Sequence, residues 1–294
     1  MINRKQGGDR SNVVPPSMST REMYGREIRY QRERMGMSQE ELGDLLFLSR
    51  SQVTRMELGT RRIQPGCAEM LDTILNTGDY FVRNLDGARA TPYPEHFADV
   101  AELEGLAEDI REWGPVTVPG LLQTEAYASA IIRGWDPVLA DPKVKERVMA
   151  RLARALIFAN ADNPRYRVIL DEAVLRRPVG GPAVMAEQLR HLIEMVKQSR
   201  ILLQVLPFNG GAHAGMDGAL KLMKFEEDAP MAYLPGLQTG TLVDDPAAVK
   251  RFHLAYDLLG AAALSPKASL TLIEAVAEEY EHGTQVRPDG GDLA

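Results

Sequence analysis

The 294-residue sequence predicts an all-α N-terminal domain followed by a larger α+β domain with an antiparallel or mixed sheet. Short capped helical patterns fill residues 20–86, whereas helical and strand-like patterns are mixed over residues 95–282. Residues 87–94 contain one Gly and two Pro, which is the composition of a linker between domains. We expect a disordered arm at 1–19 and a loose tail at 283–294, because both segments are polar and lack apolar periodicity.

The N-terminal domain is predicted to hold two short helices joined by a tight turn within residues 37–59. Ser38 is placed to cap the first helix with Glu41 as its capping-box partner, and Ser49 is placed to cap the second. Apolar side chains are expected to face inward from both helices and from the turn, namely Leu42, Leu45, Leu46, Leu48, Val53, Met56 and Leu58. Together these features predict a helix-turn-helix. Three further helices are predicted around it, at 20–35 with Thr20 as its cap, at 67–75 and at 79–85.

The outward face of the second helix of this pair carries hydrogen-bonding side chains. Such side chains are suited to base edges in a major groove, whereas a solvated helix of this length more often carries Glu and Lys. Arg50 suits a guanine and Gln52 suits an adenine. The residues predicted to contact bases are Arg50, Ser51, Gln52, Thr54 and Arg55. Phosphate contacts are predicted for Gln39, which opens the preceding helix, and for Arg61 and Arg62.

Residues 24–75 resemble the phage-repressor and xenobiotic-response-element class of helix-turn-helix regulators. The resemblance is carried by Ser38-Gln-Glu-Glu-Leu42, by Leu48-Ser-Arg-Ser-Gln-Val53 and by Glu57-Leu-Gly-Thr-Arg-Arg62. It implies that the helix after the turn lies in the major groove of a double-stranded DNA operator. A lone helix-turn-helix touches one half-site, so we expect a homodimer whose readers are about one DNA turn, roughly 34 Å, apart.

The sequence from about Pro94 onward resembles the C-terminal domain of actinomycete regulators that are described as antitoxin-like. The segments that carry this resemblance are Val118-Pro-Gly-Leu-Leu-Gln-Thr-Glu125, Asp171-Glu-Ala-Val-Leu-Arg-Arg-Pro178, Gln204-Val-Leu-Pro-Phe208 and Gly211-Ala-His-Ala-Gly215. The resemblance implies binding of a small protein partner. Within the domain, periodicity predicts helices at 98–113, 124–132, 142–161, 182–198, 247–259 and 265–280, and strands at 165–170, 201–206, 219–225, 231–234 and 237–243.

Charge and composition agree with a DNA-binding regulator of the cytoplasm. Residues 1–66 hold 12 Lys and Arg against 8 Asp and Glu, a net charge of +4. The total charge is −7, so the remaining residues carry −11. A mildly basic domain on an acidic body is typical of a tethered DNA-binding module, since only the docking face meets phosphates. The single Cys67 excludes a disulfide framework, and no signal peptide or membrane span is predicted. We therefore expect a cytoplasmic, nucleoid-associated protein.

The sequence gives little support for a catalytic site, so we expect no enzyme activity, no metal site and no cofactor. The five histidines are scattered, and the adjacent carboxylates Asp171 and Glu172 point to opposite strand faces, with Arg176 and Arg177 nearby as salt-bridge partners. His213 and Met216 lie in a glycine-rich loop at 209–218 and are the candidate partner-binding residues. Two alternatives stay open, a small-molecule sensor with a pocket in the C-terminal domain and an enzyme fused to a DNA reader.

Overall fold

In the computed structural model the chain divides into two compact units, Met1–Ala90 and Thr91–Ala294. The predicted arm up to residue 18 and the predicted tail from residue 284 lie outside the described residues. The structure describes residues 19–59, 61–89, 93, 95–159, 164–226, 228–237 and 239–283. No helix among these residues is both long enough and apolar enough to cross a membrane.

The first unit is all helical over its described residues, as predicted. Its helices are α1 (Thr20–Arg34), α2 (Gln39–Leu46), α3 (Arg50–Glu57), α4 (Pro65–Leu75), α5 (Tyr80–Arg83) and α6 (Leu85–Arg89). Each of the first three begins with a complete capping box, in which a serine hydroxyl accepts from a backbone N–H three residues on and the side chain there accepts from the serine N–H. The capping serines are Ser19, Ser38 and Ser49, so the cap of α1 is Ser19 and not the predicted Thr20.

The core of the first unit is formed by apolar side chains from all six of its described helices and the loop before α4. Those packed in it include Ile28, Leu42, Val53, Met56, Ile63, Leu71 and Phe81. Two predicted core residues are wrong: Leu45 is 46% exposed because Leu46 takes the inward position of that turn, and Leu58 is 58% exposed because α3 ends at Glu57. Gly25 and Gly43 permit the close packing, because a Cβ on either residue would lie under 3 Å from a backbone oxygen.

The last helix of the first unit occupies the start of the predicted linker. Ala88 is buried in the core, and its carbonyl oxygen accepts from Arg21 Nε at 2.9 Å. Arg89 Nη1 donates to the carbonyl oxygen of Ile63 at 2.7 Å. Residues 87–89 therefore belong structurally to the helical unit, because these tertiary contacts fix a segment whose composition alone is that of a linker.

The second unit is an α+β domain. Its helices are α7 (Glu95–Glu104), α8 (Glu125–Trp135), α9 (Asp141–Arg154), α10 (Glu172–Arg176), α11 (Pro182–Lys197), α12 (Pro246–Ala262) and α13 (Pro266–Glu281). Its strands are β1 (Asp109–Gly114), β2 (Arg165–Asp171), β3 (Leu202–Leu206), β4 (Leu220–Lys224), β5 (Met231–Gly236) and β6 (Thr239–Val243). Short 3₁₀ turns lie at Gly120–Leu122, Ala155–Phe158 and Phe208–Gly210.

The six strands form one mixed sheet in the order β3-β2-β1-β4-β5-β6. Strands β1, β2 and β3 are parallel, whereas β4 runs antiparallel to β1, and β4, β5 and β6 form an antiparallel meander. The mixed sheet confirms the sequence prediction. One face packs against α11 and α13 through residues such as Val168, Leu189 and Ile273, and the other packs against α12 through Trp113, Tyr256 and Leu259.

Strand β1 was predicted as the second half of a helix over 98–113, and this prediction is wrong. Helix α7 ends at Glu104, and Gly105 follows it. The strand carries the charged residues Asp109, Arg111 and Glu112, which local propensity disfavours in a central strand. Their partners come from neighbouring elements: Arg167 of β2 bonds Asp109, for example. Such partners are not visible in a local sequence window.

Candidate nucleic-acid interface

The turn between α2 and α3 fixes the start of the candidate reader helix. Phe47 adopts the left-handed conformation (φ 58°) and ends α2, and the N–H of Leu48 donates to the carbonyl oxygen of Gly43 at 2.9 Å. Leu48 packs against the core of the unit, as predicted. The chain then enters the Ser49 cap, so the orientation of α3 is set by a backbone hydrogen bond, an apolar anchor and a cap.

The outward face of α3 presents the predicted polar residues to differing degrees. Arg50 occupies the first helical position and is exposed, whereas Ser51, Gln52, Thr54 and Arg55 are half-buried. The first turn of such a helix is the part that enters a major groove. Arg50 is therefore the side chain with the greatest freedom to reach a base edge.

The side chain of Gln52 is partly occupied by the cap. The side-chain Oε1 accepts from the backbone N–H of Ser49 at 2.9 Å, while the backbone N–H of Gln52 donates to Ser49 Oγ at 3.2 Å. Bidentate recognition of adenine uses both the oxygen and the nitrogen of a glutamine amide. While the capping box is intact, Gln52 offers chiefly its Nε2 donors to a base.

A buried ionic network lies behind α3. Arg32 donates to Glu57 through Nε at 2.5 Å and Nη2 at 3.0 Å, and the two side chains are 8% and 3% exposed. Gln39 Nε2 donates to the same carboxylate at 2.8 Å, and Thr54 Oγ1 lies 3.0 Å from both Gln39 Oε1 and the carbonyl oxygen of Arg50. The network joins the end of α1 to the start of α2 and to α3. Gln39 and Thr54 therefore position the reader helix, and their polar atoms are already engaged within the protein.

The electrostatics of this network keep the Arg32 guanidinium charged. The hydrogen bond that Arg32 donates to Glu57 is the largest influence on this arginine and raises the pKa of its guanidinium above the ordinary value. Arg32 Nη1 also donates to the carbonyl oxygen of Met37 at 2.7 Å. Sequence reasoning missed this pair. The sequence does hold a signal for it, because a charged residue lies on the apolar face of each helix. In α1, Arg32 follows Ile28 by four positions, and in α3, Glu57 follows Val53 by four.

The two arginines after α3 are placed differently from each other. Arg61 is half-buried, and its backbone N–H donates to the carbonyl oxygen of Arg55 at 3.2 Å. Arg62 was predicted to contact the DNA backbone, but its side chain belongs to the interior and the residue is only 4% exposed. A side chain in that position is not presented to phosphates, because the adjacent Ile63, 2% exposed, draws the segment into the core.

In the second unit, the candidate loop at 209–218 is held by a tryptophan. Trp113 Nε1 donates to the carbonyl oxygen of Gly215 at 3.0 Å, and the ring of His213 meets the Trp113 ring edge-on at 5.3 Å. A Cβ on Gly215 would lie 2.4 Å from Trp113 Nε1, so only glycine fits there. His213 is therefore half-buried against Trp113, while Met216 is 69% exposed.

A second buried ionic network lies between α7, α9 and the sheet. Arg154 donates to Glu104 through Nε at 2.8 Å and Nη2 at 2.9 Å, and Lys221 Nζ also contacts Glu104. Lys221 lies 3.0 Å from Glu112 Oε2, to which Tyr166 donates its hydroxyl at 2.5 Å. Each charged group in this network has an opposite partner, so it is built as a structural cluster.

The carboxylates considered for acid–base chemistry have structural partners. Asp171 caps α10 by accepting from the N–H of Ala173 at 2.8 Å. Arg176 pairs with Glu172 at 3.3 Å and with Glu279 at 2.7 Å, which ties α10 to α13. Within the described part of the chain, no group of three or more His, Cys, Asp or Glu residues is arranged to hold a metal ion.

Comparison with known families divides the chain where its two units divide. The family described as a helix-turn-helix domain matches residues 24–82, which span α1 to the middle of α5. The family described as a domain of unknown function (DUF5753) matches residues 97–275, most of the second unit. No curated protein and no solved structure is significantly similar to the chain. The chain therefore belongs to the DUF5753 family and carries a helix-turn-helix domain, which makes it a DNA-binding regulator.

Proposed function

We propose that the protein is a sequence-specific transcriptional regulator that reads an operator with α3. The observation that carries this proposal is the construction of the helix: an exposed Arg50 stands on a capped first turn, and a buried ionic network fixes the back of the helix. A base reader must be held rigidly, because a hydrogen bond to a base edge discriminates only when its geometry is fixed. Helix α3 meets this requirement, because the cap fixes its first turn and the ionic network fixes its inner face.

We further propose that the regulator binds its operator as a homodimer. One recognition helix contacts a single half-site, and two half-sites about one DNA turn apart supply the affinity typical of such regulators. The antitoxin-like role and the small protein partner remain expectations from the resemblance of the second unit. We also propose that this unit acts by binding and not by catalysis, which the pairing of the buried Glu104 with Arg154 and Lys221 supports.

The test begins with a duplex that the protein itself selects from a random-sequence pool. Replacing Arg50 by Ala is expected to weaken binding to this duplex by about 1–3 kcal/mol, which is roughly 5- to 150-fold, and to leave binding to a scrambled duplex nearly unchanged. The physical reason is that a base contact contributes only where its base is present. Fluorescence anisotropy titrations at one fixed salt concentration measure both affinities.

Two arginine variants serve as controls. Arg61→Ala is expected to weaken binding to both duplexes alike, because a phosphate contact carries no sequence information. Arg83→Ala removes the same charge from an exposed position on α5, where the side chain pairs with Asp79, and is expected to change either affinity little. If Arg50→Ala weakened both duplexes equally, Arg50 would not be a base reader; if the wild type selected no duplex, sequence-specific regulation itself would be wrong.

A further inference from the structure

Helix α12 has two apolar faces, and the second unit covers one of them. Val249, Tyr256 and Leu259 are buried against the sheet. On the opposite side Leu254 is 60% exposed and Leu258 is 54% exposed. A surface helix ordinarily presents polar residues to solvent, so an apolar outer stripe indicates a surface that another molecule covers.

Three residues of the outer stripe of α12 are spaced symmetrically about its middle. Leu254 is the central residue of Pro246–Ala262, and the exposed Ala247 and Ala261 lie seven residues before and after it. Seven residues are close to two helical turns, so the three share one line along the helix. Small residues at the ends and a leucine at the centre allow a second helix to lie close along the whole stripe.

Two charges on one flank of the stripe follow the same symmetry, while the exposed Arg251 lies beside Leu258 on the other flank. Lys250 and Asp257 are seven residues apart on one flank, and the midpoint between them falls within one residue of Leu254. Lys250 is exposed, and the Asp257 side chain is 66% exposed although one oxygen lies 3.4 Å from Arg111 Nη1 of the same chain. When two identical helices pair antiparallel about a twofold axis, residues of the same flank meet, so Lys250 faces the partner's Asp257 and Asp257 faces the partner's Lys250.

We propose that α12 is the homodimer interface and that it pairs antiparallel with α12 of a second copy. A self-complementary arrangement is what a twofold interface requires, because each patch must match itself after rotation. A different partner would need neither the central leucine nor opposite charges placed evenly around it. The inference deepens the proposed function, since it rests on dimeric operator binding for its role, but the surface can be tested without DNA.

The first test measures the molar mass of the full chain by sedimentation velocity and light scattering over a concentration series. The wild type is expected to be a dimer at micromolar concentration. Leu254→Glu is expected to yield monomer, because it places two carboxylates at the centre of the pair. The matched control is Val138→Glu, which puts the same charge on a more exposed apolar residue (93%) outside α12 and is expected to leave the dimer intact. Far-UV circular dichroism verifies that both variants are folded.

The second test exchanges the flanking charges. Lys250→Asp and Asp257→Lys are each expected to weaken the dimer more than about tenfold, because each brings like charges together at two symmetric places. The double variant Lys250→Asp/Asp257→Lys restores opposite pairs and is expected to recover most of the lost affinity. Recovery supports the antiparallel register, and failure of the double variant to recover overturns it.

Other outcomes separate this inference from the proposed function. A wild type that is monomeric throughout, or a Leu254→Glu variant that remains dimeric, overturns α12 as the interface whatever DNA the protein binds. A chain that dimerises through α12 but selects no duplex overturns the operator proposal and leaves the interface standing.

Discussion

Each unit of the protein contains a buried ionic network, and the two networks differ in what they hold. In the first unit, the Arg32–Glu57 pair and Gln39 link three helices and end at Thr54 on the reader helix. In the second unit, Glu104 is enclosed by Arg154 and Lys221 and connects one helix to another and to the sheet. The first network therefore supports a functional surface from behind, whereas the second fastens elements of the interior to one another.

Burial acts strongly on the pKa values of groups in the second network. Glu104 is 1% exposed, and burial alone would raise the pKa of its carboxyl, but Lys221 and Arg154 together hold that pKa below its ordinary value. Burial, reinforced by Glu112, raises the pKa of Tyr166 well above its usual range, so this tyrosine remains a neutral donor. The interior cluster thus depends on complete pairing of its charges, because an unpaired buried charge is far more costly than an exposed one.

Among the substitutions that test this comparison, Glu104→Ala is expected to lower the unfolding free energy most. The substitution leaves the buried Arg154 without its carboxylate and Lys221 with Glu112 alone, so we expect the second unit to lose about 5 kcal/mol of unfolding free energy, the upper end for breaking a buried ion pair. Both tryptophans of the chain, Trp113 and Trp135, lie in this unit, so urea unfolding followed by tryptophan fluorescence reports on it selectively.

The control for this measurement is Glu108→Ala, which breaks the exposed Glu108–Lys224 pair of the same unit. An exposed pair contributes at most about 1 kcal/mol, so the control should unfold close to the wild type. Equal losses from Glu104→Ala and Glu108→Ala would show that the buried cluster does not stabilise the interior.

A smaller effect, about 3 kcal/mol, is expected from Glu57→Ala in the first unit. This change removes the buried carboxylate partner of a single cation, Arg32, which keeps its hydrogen bond to the carbonyl oxygen of Met37. The helical unit has no tryptophan, so its unfolding is the part of the circular dichroism transition at 222 nm that tryptophan fluorescence does not share, while the tryptophan transition should stay at its wild-type midpoint. Binding to the selected duplex should fall as well, because the network no longer fixes α3.

Asp79→Ala is the matched control for Glu57→Ala, since it breaks the exposed Arg83–Asp79 pair of the same unit and should change stability little. A shift of the tryptophan transition in Glu57→Ala would contradict independent stabilisation of the two units by their own networks. Normal affinity for the selected duplex in the folded variant would contradict the supporting role of the network.

The comparison also separates what the sequence predicts from what it does not. The helix starts at Ser38 and Ser49 could be predicted because a capping box involves residues only three positions apart. Strand β1 could not, because its charged residues are accommodated by partners such as Arg167 and Lys221, which lie more than fifty positions away in the sequence. The mixed sheet was still predicted, since the apolar strands β2 and β3 carry their own local pattern.

The candidate site shows the same division between local and tertiary information. Arg50 was placed correctly on an exposed first turn because helical periodicity alone determines that position. Arg62 follows the motif in a loop, where periodicity gives no direction, and tertiary packing buries it. Gln52 was assigned to the outer face from spacing, and its bond with the Ser49 N–H was missed, although Ser49 and Gln52 have the three-residue spacing of a capping box.

The smallest effect is expected from Ser49→Ala, which sharpens the comparison by separating stability from positioning within one unit. Loss of the hydroxyl that accepts from Gln52 N–H should cost about 1 kcal/mol of unfolding free energy. Ser19→Ala removes the equivalent hydroxyl from the capping box of α1, at a similar expected cost, but does not touch the reader helix.

Both variants are compared by thermal unfolding at 222 nm and by anisotropy titration at a temperature where each is fully folded. We expect only Ser49→Ala to weaken binding to the selected duplex, by a few-fold, because the first turn of α3 frays where Arg50 must be held. Equal weakening by both variants would mean that DNA affinity follows the stability of the whole unit and not the local order of its reader helix.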